Sequence, residues 1–207
     1  MGFTVIIYVF KCFFIKLSAT TKIDKYIEIC NNYSNFSSYD LDSEKPDDSF
    51  YNGGVNFRYF LSNNCGISNI NNHSIVVIIE YMGAKIIIPG DNEASSWNEL
   101  LKIEDFKNAI SGTNVFIASH HGRESGYCAE LFNHFTPNIV IVSDDSEVDT
   151  SVTNRYTAIA SGWDVKKRSN EEYINRKCLT TRNDGCIAIN IERNYYTNKT
   201  HMEVTIN

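Results

Sequence analysis

The stretch SIVVIIEYMGAKIIIPGD, residues 74–91, contains two runs of β-branched residues separated by the tripeptide MGA. β-Branched side chains favour strands, and two such runs around a short turn containing glycine are typical of a β-hairpin. The second run ends in Gly90 and Asp91. This stretch therefore predicts two paired strands with an acidic side chain at the end of the second.

Two later apolar runs also end in polar side chains. NVFIASHH ends in His120 and His121, and PNIVIVSDD ends in Asp144 and Asp145. Mixed α/β proteins place their sites where the carboxyl ends of strands meet at one edge of a sheet. Asp and His are ligands that zinc and manganese accept. Together with Asp91, these residues predict a metal site at that edge.

Each of these residues also has an ordinary structural interpretation. Asp91 after a glycine is typical of a turn or a helix cap. One histidine of the pair would be buried and hydrogen-bonded while the other lies at the surface. Asp144 and Asp145 would be turn acids. The appearance of all of them in order after strands is what favours the metal site.

The rest of the chain predicts a mixed α/β fold. Apolar residues at helical spacing, or a capping Ser96, predict helices over residues 21–33, 95–110, 124–135 and 153–162. Two further segments predict strands, residues 55–61 by alternation and residues 178–192 as two strands around an Asn-Asp-Gly turn. Residues 34–54 are rich in Ser, Asp and Asn and predict a long loop.

Composition narrows the class of protein. The chain has 207 residues, a net charge of −6 and six cysteines without a CxxC pair. The cysteine spacing matches no disulfide framework, which favours a reducing, cytoplasmic compartment. The negative charge argues against a surface that coats nucleic acid, but it leaves room for a local basic groove or for a metal ion that supplies positive charge.

The N-terminus has two interpretations. Residues 3–15 are apolar but are interrupted by Lys11, and they are shorter than the roughly 20 residues of a transmembrane helix. A buried strand is one interpretation. The other is that residues 1–19 form a signal or tether, which would place the protein outside the cytoplasm.

An ordered set of motifs carries a resemblance to a known family. Asn71 and Ser74 form an Asn-x-x-Ser motif before the hairpin, one strand ends in Gly-Asp, another ends in His-His-Gly, and PNIVIVSDD and TTRNDGCIAINI follow. This set, over roughly residues 52–192, resembles the second half of a metallo-β-lactamase-fold hydrolase. The most similar group is that of the hydrolase domain of the competence protein ComEC.

The resemblance implies an αββα sandwich with a zinc or manganese site at one edge of its sheets. It implies that Asp91 and His120 are metal ligands with a part in catalysis, with His121 as an alternate ligand. His73, which precedes the hairpin, would be a further ligand or a polar residue at a strand edge. Arg123 would neutralise a substrate phosphate, or it is a solvated loop residue.

One signature of that family is missing from this sequence. The family carries a His-x-His-x-Asp-His loop, and no two histidines here are separated by one residue. Because a catalytic zinc needs three protein ligands and a water, we expect this chain alone to bind one ion at most. The expected fold is therefore incomplete and consists mainly of the C-terminal half.

The missing signature leads to expected boundaries. Residues 1–51 would be an N-terminal helix and linker left from the first half, residues 52–192 the metallo-β-lactamase-like domain, and residues 193–207 a tail or edge strand. Loss of the first sheet would expose an apolar face of the hairpin strands. Either residues 1–20 or a partner chain would then cover that face.

Two functions remain open at this stage. The first is a metal-dependent hydrolase with reduced or no activity when alone. It would be a phosphodiesterase or nuclease, with an ester or a lactam as the alternative substrate. The second is a non-catalytic remnant or a partner subunit of a split hydrolase that acts by binding protein. The partner would be a chain that supplies the missing half, or a second copy of this chain.

Overall fold

The structure is a computed structural model. It describes residues 55–62, 64–65, 68–144, 152–192 and 200–207, and the backbone alone of residues 5–9 and 193. The helix predicted over residues 21–33 and the loop predicted over residues 34–54 lie outside this set. Among the described residues, no helix is long and apolar enough to cross a membrane.

The described residues form strands and short helices in alternation. The strands are β1 Val5–Val9, β2 Asn56–Phe60, β3 Val76–Tyr81, β4 Ala84–Ile88, β5 Val115–Ile117, β6 Ile139–Val142, β7 Trp163–Lys167, β8 Tyr173–Arg176, β9 Cys178–Thr180, β10 Ile187–Arg193 and β11 Thr200–Ile206. The α-helices are α1 Ala94–Leu100, α2 Glu104–Ile110, α3 Thr153–Ile159 and α4 Thr181–Asp184. The 3₁₀ segments are Ile70–His73, Ser119–Gly122, Glu124–Gly126 and Ala129–Asn133.

The strands lie in two sheets. The six-stranded sheet has the order β2-β3-β4-β5-β6-β9, with β2 to β4 antiparallel and β4 to β9 parallel. The five-stranded sheet has the order β1-β10-β11-β7-β8. The predicted hairpin is confirmed: Tyr81 pairs with Ala84 across a turn in which Met82 and Gly83 both have positive φ. Such a turn matches the twist of the strands it joins.

The parallel strands are buried on both faces, which explains their unbroken apolar runs. In β4, Ile86 faces the five-stranded sheet and Ile87 packs under the helices, and Val115 and Phe116 alternate in the same way in β5. The layer between the sheets is built from alternate residues of both. Its members on the five-stranded side are Val165, Ile187, Ile189, Ile191, Met202, Val204 and Ile206.

A second core lies between the six-stranded sheet and the helices. Trp97, Leu100, Phe106 and Ile110 of α1 and α2 are fully buried against the sheet. Phe116 contacts the Tyr156 ring of α3 with ring centroids 6.1 Å apart. Burial of side chains of this size contributes about 1.5–3 kcal/mol each. The fold is thus mixed α/β, consistent with α+β, with helices outside one of two packed sheets.

The apolar face that was expected to be exposed is covered by this chain itself. Strands β7, β10 and β11 supply the covering side chains, and β1 extends their sheet by pairing with β10. The expectation of a tail or edge strand at the C-terminus is wrong for β11. That strand is the central one of its sheet because it pairs with β10 on one side and β7 on the other.

Two predicted helices differ from the structure. Residues 95–110 form two helices rather than one, since the chain turns at residues 101–103 so that both α1 and α2 pack on the sheet. Ser96 is not the N-cap, and its hydroxyl donates to the carbonyl oxygen of Glu93. Residues 124–135 form two 3₁₀ segments. Short segments depend on tertiary packing for their geometry because helix nucleation is costly.

The two strands predicted over residues 178–192 are present but do not form a hairpin. The helix α4 separates β9 from β10, and the two strands belong to different sheets. Thr180 caps α4 by accepting from the Asn183 N–H at 3.2 Å. This short helix carries the chain from the six-stranded sheet to the five-stranded sheet.

Candidate functional site

The loop after β4 brings Asp91 to the carboxyl edge of the six-stranded sheet. Its backbone is fixed by the Asn-x-x-Ser motif, because the Ser74 hydroxyl accepts from the Asp91 N–H at 3.1 Å. Gly90 has a φ of 63°, and a Cβ at this position would lie 2.9 Å from the Ser74 Cβ. Position 90 therefore requires glycine, because the turn passes too close to Ser74 for a residue with a side chain.

Asn72 links the same loop to the start of α1. Its side-chain oxygen accepts from the Glu93 N–H at 3.2 Å and from the Ser96 N–H at 3.3 Å. Asn72 is buried, so these contacts satisfy helix donors that would otherwise lack partners. The polar sequence before the hairpin thus acts as the scaffold of the loop after it.

The loop after β5 holds three consecutive residues in the left-handed region. The φ angles of His120, His121 and Gly122 are 48°, 56° and 74°. A left-handed conformation is rare for residues other than glycine, and it persists where the surroundings enforce it, often at functional sites. The His120 N–H donates to the Gly90 carbonyl oxygen at 3.1 Å. This bond ties the histidine loop to the Gly-Asp loop.

His121 lies beside Asp91. Its Nε2 is 3.6 Å from Asp91 Oδ1, and its Nδ1 is 2.8 Å from the carbonyl oxygen of Ser143. A carbonyl oxygen only accepts, so Nδ1 carries a hydrogen, and the lone pair that a neutral ring would offer to a metal is on Nε2, the nitrogen nearer Asp91. Metal-binding histidines are commonly oriented by such a bond from their other ring nitrogen.

His120 turns to a different set of partners. Its Nδ1 is 3.0 Å from Glu93 Oε1 and 3.0 Å from the Ser125 hydroxyl, and its Nε2 is 3.2 Å from Arg123 Nη1. The guanidinium only donates, so Nε2 accepts from Arg123 and Nδ1 carries the hydrogen. The ring is buried, and both of its nitrogens have partners within the protein.

Glu93 is held by the segment before the hairpin. The side-chain amides of Asn69 and Asn71 donate to its two carboxylate oxygens at 2.7 and 3.0 Å. Burial acts to raise the pKa of Glu93, but the hydrogen bonds from Asn71 and Asn69 act in the opposite direction, and the pKa lies below its ordinary value. Glu93 is therefore a carboxylate that orients His120.

The arrangement around His120 is not that of a serine hydrolase. In a Ser-His-acid triad the serine contacts one ring nitrogen and the acid contacts the other. Here Ser125 and Glu93 both face Nδ1, while Nε2 is occupied by Arg123. Ser125 thus has no free imidazole nitrogen to take its proton.

The remaining predicted residues lie in different surroundings. His73 ends the 3₁₀ segment before β3, and its Nε2 is buried without a hydrogen-bond partner among the described residues. Asp144 is buried after β6, where it accepts from the Arg182 N–H at 3.1 Å and pairs with the Arg182 Nε at 3.2 Å. These partners belong to α4, 38 positions further along the chain, and not to the turn that follows β6. Asp145 lies outside the described residues.

Sequence reasoning missed Glu93. The residue stands two positions after Asp91, and it would have been found by asking which acids follow the Gly-Asp turn before α1 begins. Within the described ranges, no group of three or more His, Cys, Asp or Glu side chains converges to hold a metal. The site offers a pair of metal-capable groups, Asp91 and His121, beside a separate network around His120.

A cleft of about 520 Å³ lies away from this site, along β7, β8 and β11. Its lining combines aromatic, amide and acidic side chains, including Trp163, Tyr173, Asn175, Asp164 and Glu203. None of the residues predicted as ligands lines it. The cleft is therefore a feature separate from the Asp91 site.

Comparison of the chain with models of known protein families gives no match, and comparison with curated protein sequences gives none either.

Proposed function

We propose that this chain has the metallo-β-lactamase fold of the ComEC-like hydrolases and that it binds one divalent zinc or manganese ion through Asp91 and His121. The fold supports this proposal to the extent that two sheets pack face to face with helices outside one of them. Those are three of the four layers of an αββα sandwich. The proposed activity is metal-dependent hydrolysis of a phosphodiester.

The observation that carries the proposal is the distance between the two candidate ligands. Ligand atoms about 2.0–2.1 Å from a tetrahedral zinc lie roughly 3.3 Å apart. The distance of 3.6 Å between His121 Nε2 and Asp91 Oδ1 is close to that value. The Asp91 side chain is 43% exposed, so an ion has access from solvent. The donor set therefore fits a single ion, held by an oxygen and a nitrogen.

The same donor set limits the proposal. A catalytic zinc has three protein ligands and a water, and two metal-capable groups support only a weakly bound ion. A dinuclear centre does not fit the described residues. A bound divalent ion would supply positive charge for the phosphodiester and would acidify a water molecule. The chain's own residues orient His121 through the Ser143 carbonyl and fix Asp91 through Ser74.

Hydrolysis of bis(p-nitrophenyl) phosphate with added zinc or manganese tests this function. We expect slow, metal-dependent hydrolysis in the wild-type chain and its loss in Asp91→Ala and His121→Ala. His134→Ala is the matched control, because it removes a histidine outside the site. Equal rates in the wild-type chain and in both site variants would refute the assignment of these residues.

The ligand count favours a second candidate function. Among the described residues, Asp91 and His121 are the two metal-capable groups that face each other at the loop ends. The chain would then serve as a subunit that completes its site with ligands from another chain. Size-exclusion chromatography with light scattering, run with and without zinc, tests this candidate on the purified chain. Zinc-dependent formation of a dimer that His121→Ala abolishes would support a shared site between two copies. A zinc-independent monomer would exclude the homodimeric form of this candidate.

A further inference from the structure

We propose that Glu93 and His120 form a positioning pair for Arg123 and that Arg123 binds the phosphate group of the substrate. The inference rests on the proposed function, since it assigns a role within that same site. It makes His120 a positioning residue rather than a metal ligand. The metal-binding histidine is then His121 alone.

The first argument is the hydrogen bonding of the His120 ring. A metal ligand must offer a lone pair, and the only lone pair of the neutral ring is on Nε2. That atom accepts from Arg123 Nη1 at 3.2 Å, while Nδ1 faces Glu93 at 3.0 Å. The lone pair of His120 is thus directed at a cation of the protein itself.

The second argument is the support behind Glu93. Asn69 and Asn71 bind its two oxygens, and the Glu93 N–H is held by Asn72. A carboxylate with this many fixed donors keeps its position, so the His120 ring that it orients is also fixed. The chain of contacts from Asn71 through Glu93 and His120 thus ends on the Arg123 guanidinium.

The third argument is the chemistry of Arg123. Arg123 is exposed to solvent, and its contact with His120 uses only one of its guanidinium nitrogens, Nη1. The planar guanidinium carries five N–H donors and matches two phosphate oxygens at once. Arg123 also follows His121 by two residues. A phosphate bound by Arg123 would therefore lie near the Asp91–His121 pair.

Imidazole nitrogen NMR of the full chain tests the assignment of the two histidines. Zinc is added to the ¹⁵N-labelled protein, and the resonances are identified with His120→Gln and His121→Gln. We expect zinc to shift the Nε2 resonance of His121 and to leave that of His120 unchanged. A zinc-induced shift of the His120 Nε2 resonance would overturn the inference. If zinc moved neither resonance, the proposed function would fail, and the phosphate experiment would decide the inference.

Calorimetric titration with inorganic phosphate, in the absence of metal, tests the role of Arg123. We expect Arg123→Ala to weaken phosphate binding about ten- to hundredfold, the range expected for loss of a charged hydrogen bond. Arg168→Ala is the matched control. Arg168 is also an exposed arginine, but its contacts are with Asn207 and Thr205, which are not part of the site. Equal phosphate affinity in Arg123→Ala and the wild-type chain would overturn the inference.

The phosphate affinities of two substitutions at position 120 test the positioning role of His120. Glutamine at position 120 keeps a carbonyl oxygen that accepts from Arg123, whereas alanine keeps none. We expect His120→Gln to retain more phosphate affinity than His120→Ala, with Glu93→Gln several-fold weaker than the wild-type chain. Circular dichroism checks that each variant is folded. Equal affinities in His120→Gln and His120→Ala would contradict a positioning role for the ring.

Discussion

His121 and Asp91 form one acid–histidine pair, with Nε2 and Oδ1 3.6 Å apart, while the preceding residue His120 pairs with Glu93 at 3.0 Å. Two adjacent histidines thus contact two acids that stand two positions apart in the Gly-Asp loop. Both histidines have left-handed backbone conformations, and this conformation separates their rings. The separation leaves one ring facing a solvent-accessible carboxylate and the other inside a hydrogen-bonded network.

The glycine after the histidines provides a first test. In Gly122→Ala, a Cβ would lie 2.7 Å from Val142 Cγ1 at a φ of 74°. We expect a loss of about 2–4 kcal/mol in the free energy of unfolding, because backbone strain and overpacking add. Gly83→Ala is the control: its φ is 84°, but nothing lies within 4 Å of the added Cβ. Equal losses in urea unfolding would show that the Val142 contact has no effect.

The cap supplied by Asn72 provides a second test. Asn72→Ala leaves the N–H groups of Glu93 and Ser96 without their acceptor at the start of α1. We expect a loss of about 1–2 kcal/mol, as for other capping residues. Asn98 is exposed on the same helix, so Asn98→Ala should change the stability by less than about 0.5 kcal/mol. Thermal unfolding of both variants measures these losses. Equal decreases in Tm for Asn72→Ala and Asn98→Ala would contradict a capping role for Asn72.

A buried carboxylate at the junction of the sheets provides a third test. Asp184 accepts from Arg176 at 2.9 and 3.1 Å and from the Thr180 N–H at 2.8 Å. Because Arg176 is one-third exposed, we expect Asp184→Ala to cost about 2–3 kcal/mol rather than the full value of a buried pair.

The matched control is an exposed ion pair between the end of α1 and the turn that follows it. Lys102 and Glu99 contact each other at 2.7 Å, and Lys102 is largely solvent-exposed. Lys102→Ala should therefore cost less than about 1 kcal/mol. Chemical denaturation distinguishes the two pairs. A similar small effect at Asp184 would show that α4 is held in place by other contacts.

Thiol chemistry provides a fourth test. Burial raises the pKa of Cys128 to about 11 and that of Cys178 to about 12. At pH 8 the folded chain should therefore alkylate slowly at these two cysteines and faster at Cys186, which is partly exposed. Peptide mass mapping after brief iodoacetamide treatment measures this order. Fast labelling of Cys178 in the folded chain would contradict its burial.

The same pKa shifts predict a loss of stability at high pH. A thiol whose pKa is raised on folding contributes stability that is present below its unfolded pKa of about 9 and that falls as the pH rises through the folded value. We expect the free energy of unfolding to decline between about pH 9 and pH 12. Cys178→Ala should reduce the slope in this range. An unchanged slope would exclude Cys178 as its source.

The sequence predicts the six-stranded sheet well because its signals are local. Unbroken β-branched runs predict strands buried on both faces, and the turn after Tyr81 has the glycine that a tight hairpin needs. The covering sheet depends on contacts between distant segments. The break between β9 and β10 decides which sheet each strand joins, and the Asn-Asp-Gly signal of residues 183–185 is equally consistent with a hairpin.

The candidate site is predicted in outline only. The positions of Asp91 and the two histidines after strands predict that they share one edge of the sheet. Which histidine faces Asp91 depends on backbone angles that a side-chain pattern does not encode. The local sequence pattern does not indicate a role for Glu93 either, because that role comes from contacts with Asn69 and Asn71, more than twenty positions earlier.

The most direct test of the central claim is zinc stoichiometry by native mass spectrometry on the wild-type chain, Asp91→Ala, His121→Ala and His120→Gln. We predict one zinc ion per chain in the wild type and in His120→Gln, and none in Asp91→Ala or His121→Ala. Retention of zinc by Asp91→Ala and His121→Ala, or its loss in His120→Gln alone, would contradict the assignment of the ion to the Asp91–His121 pair.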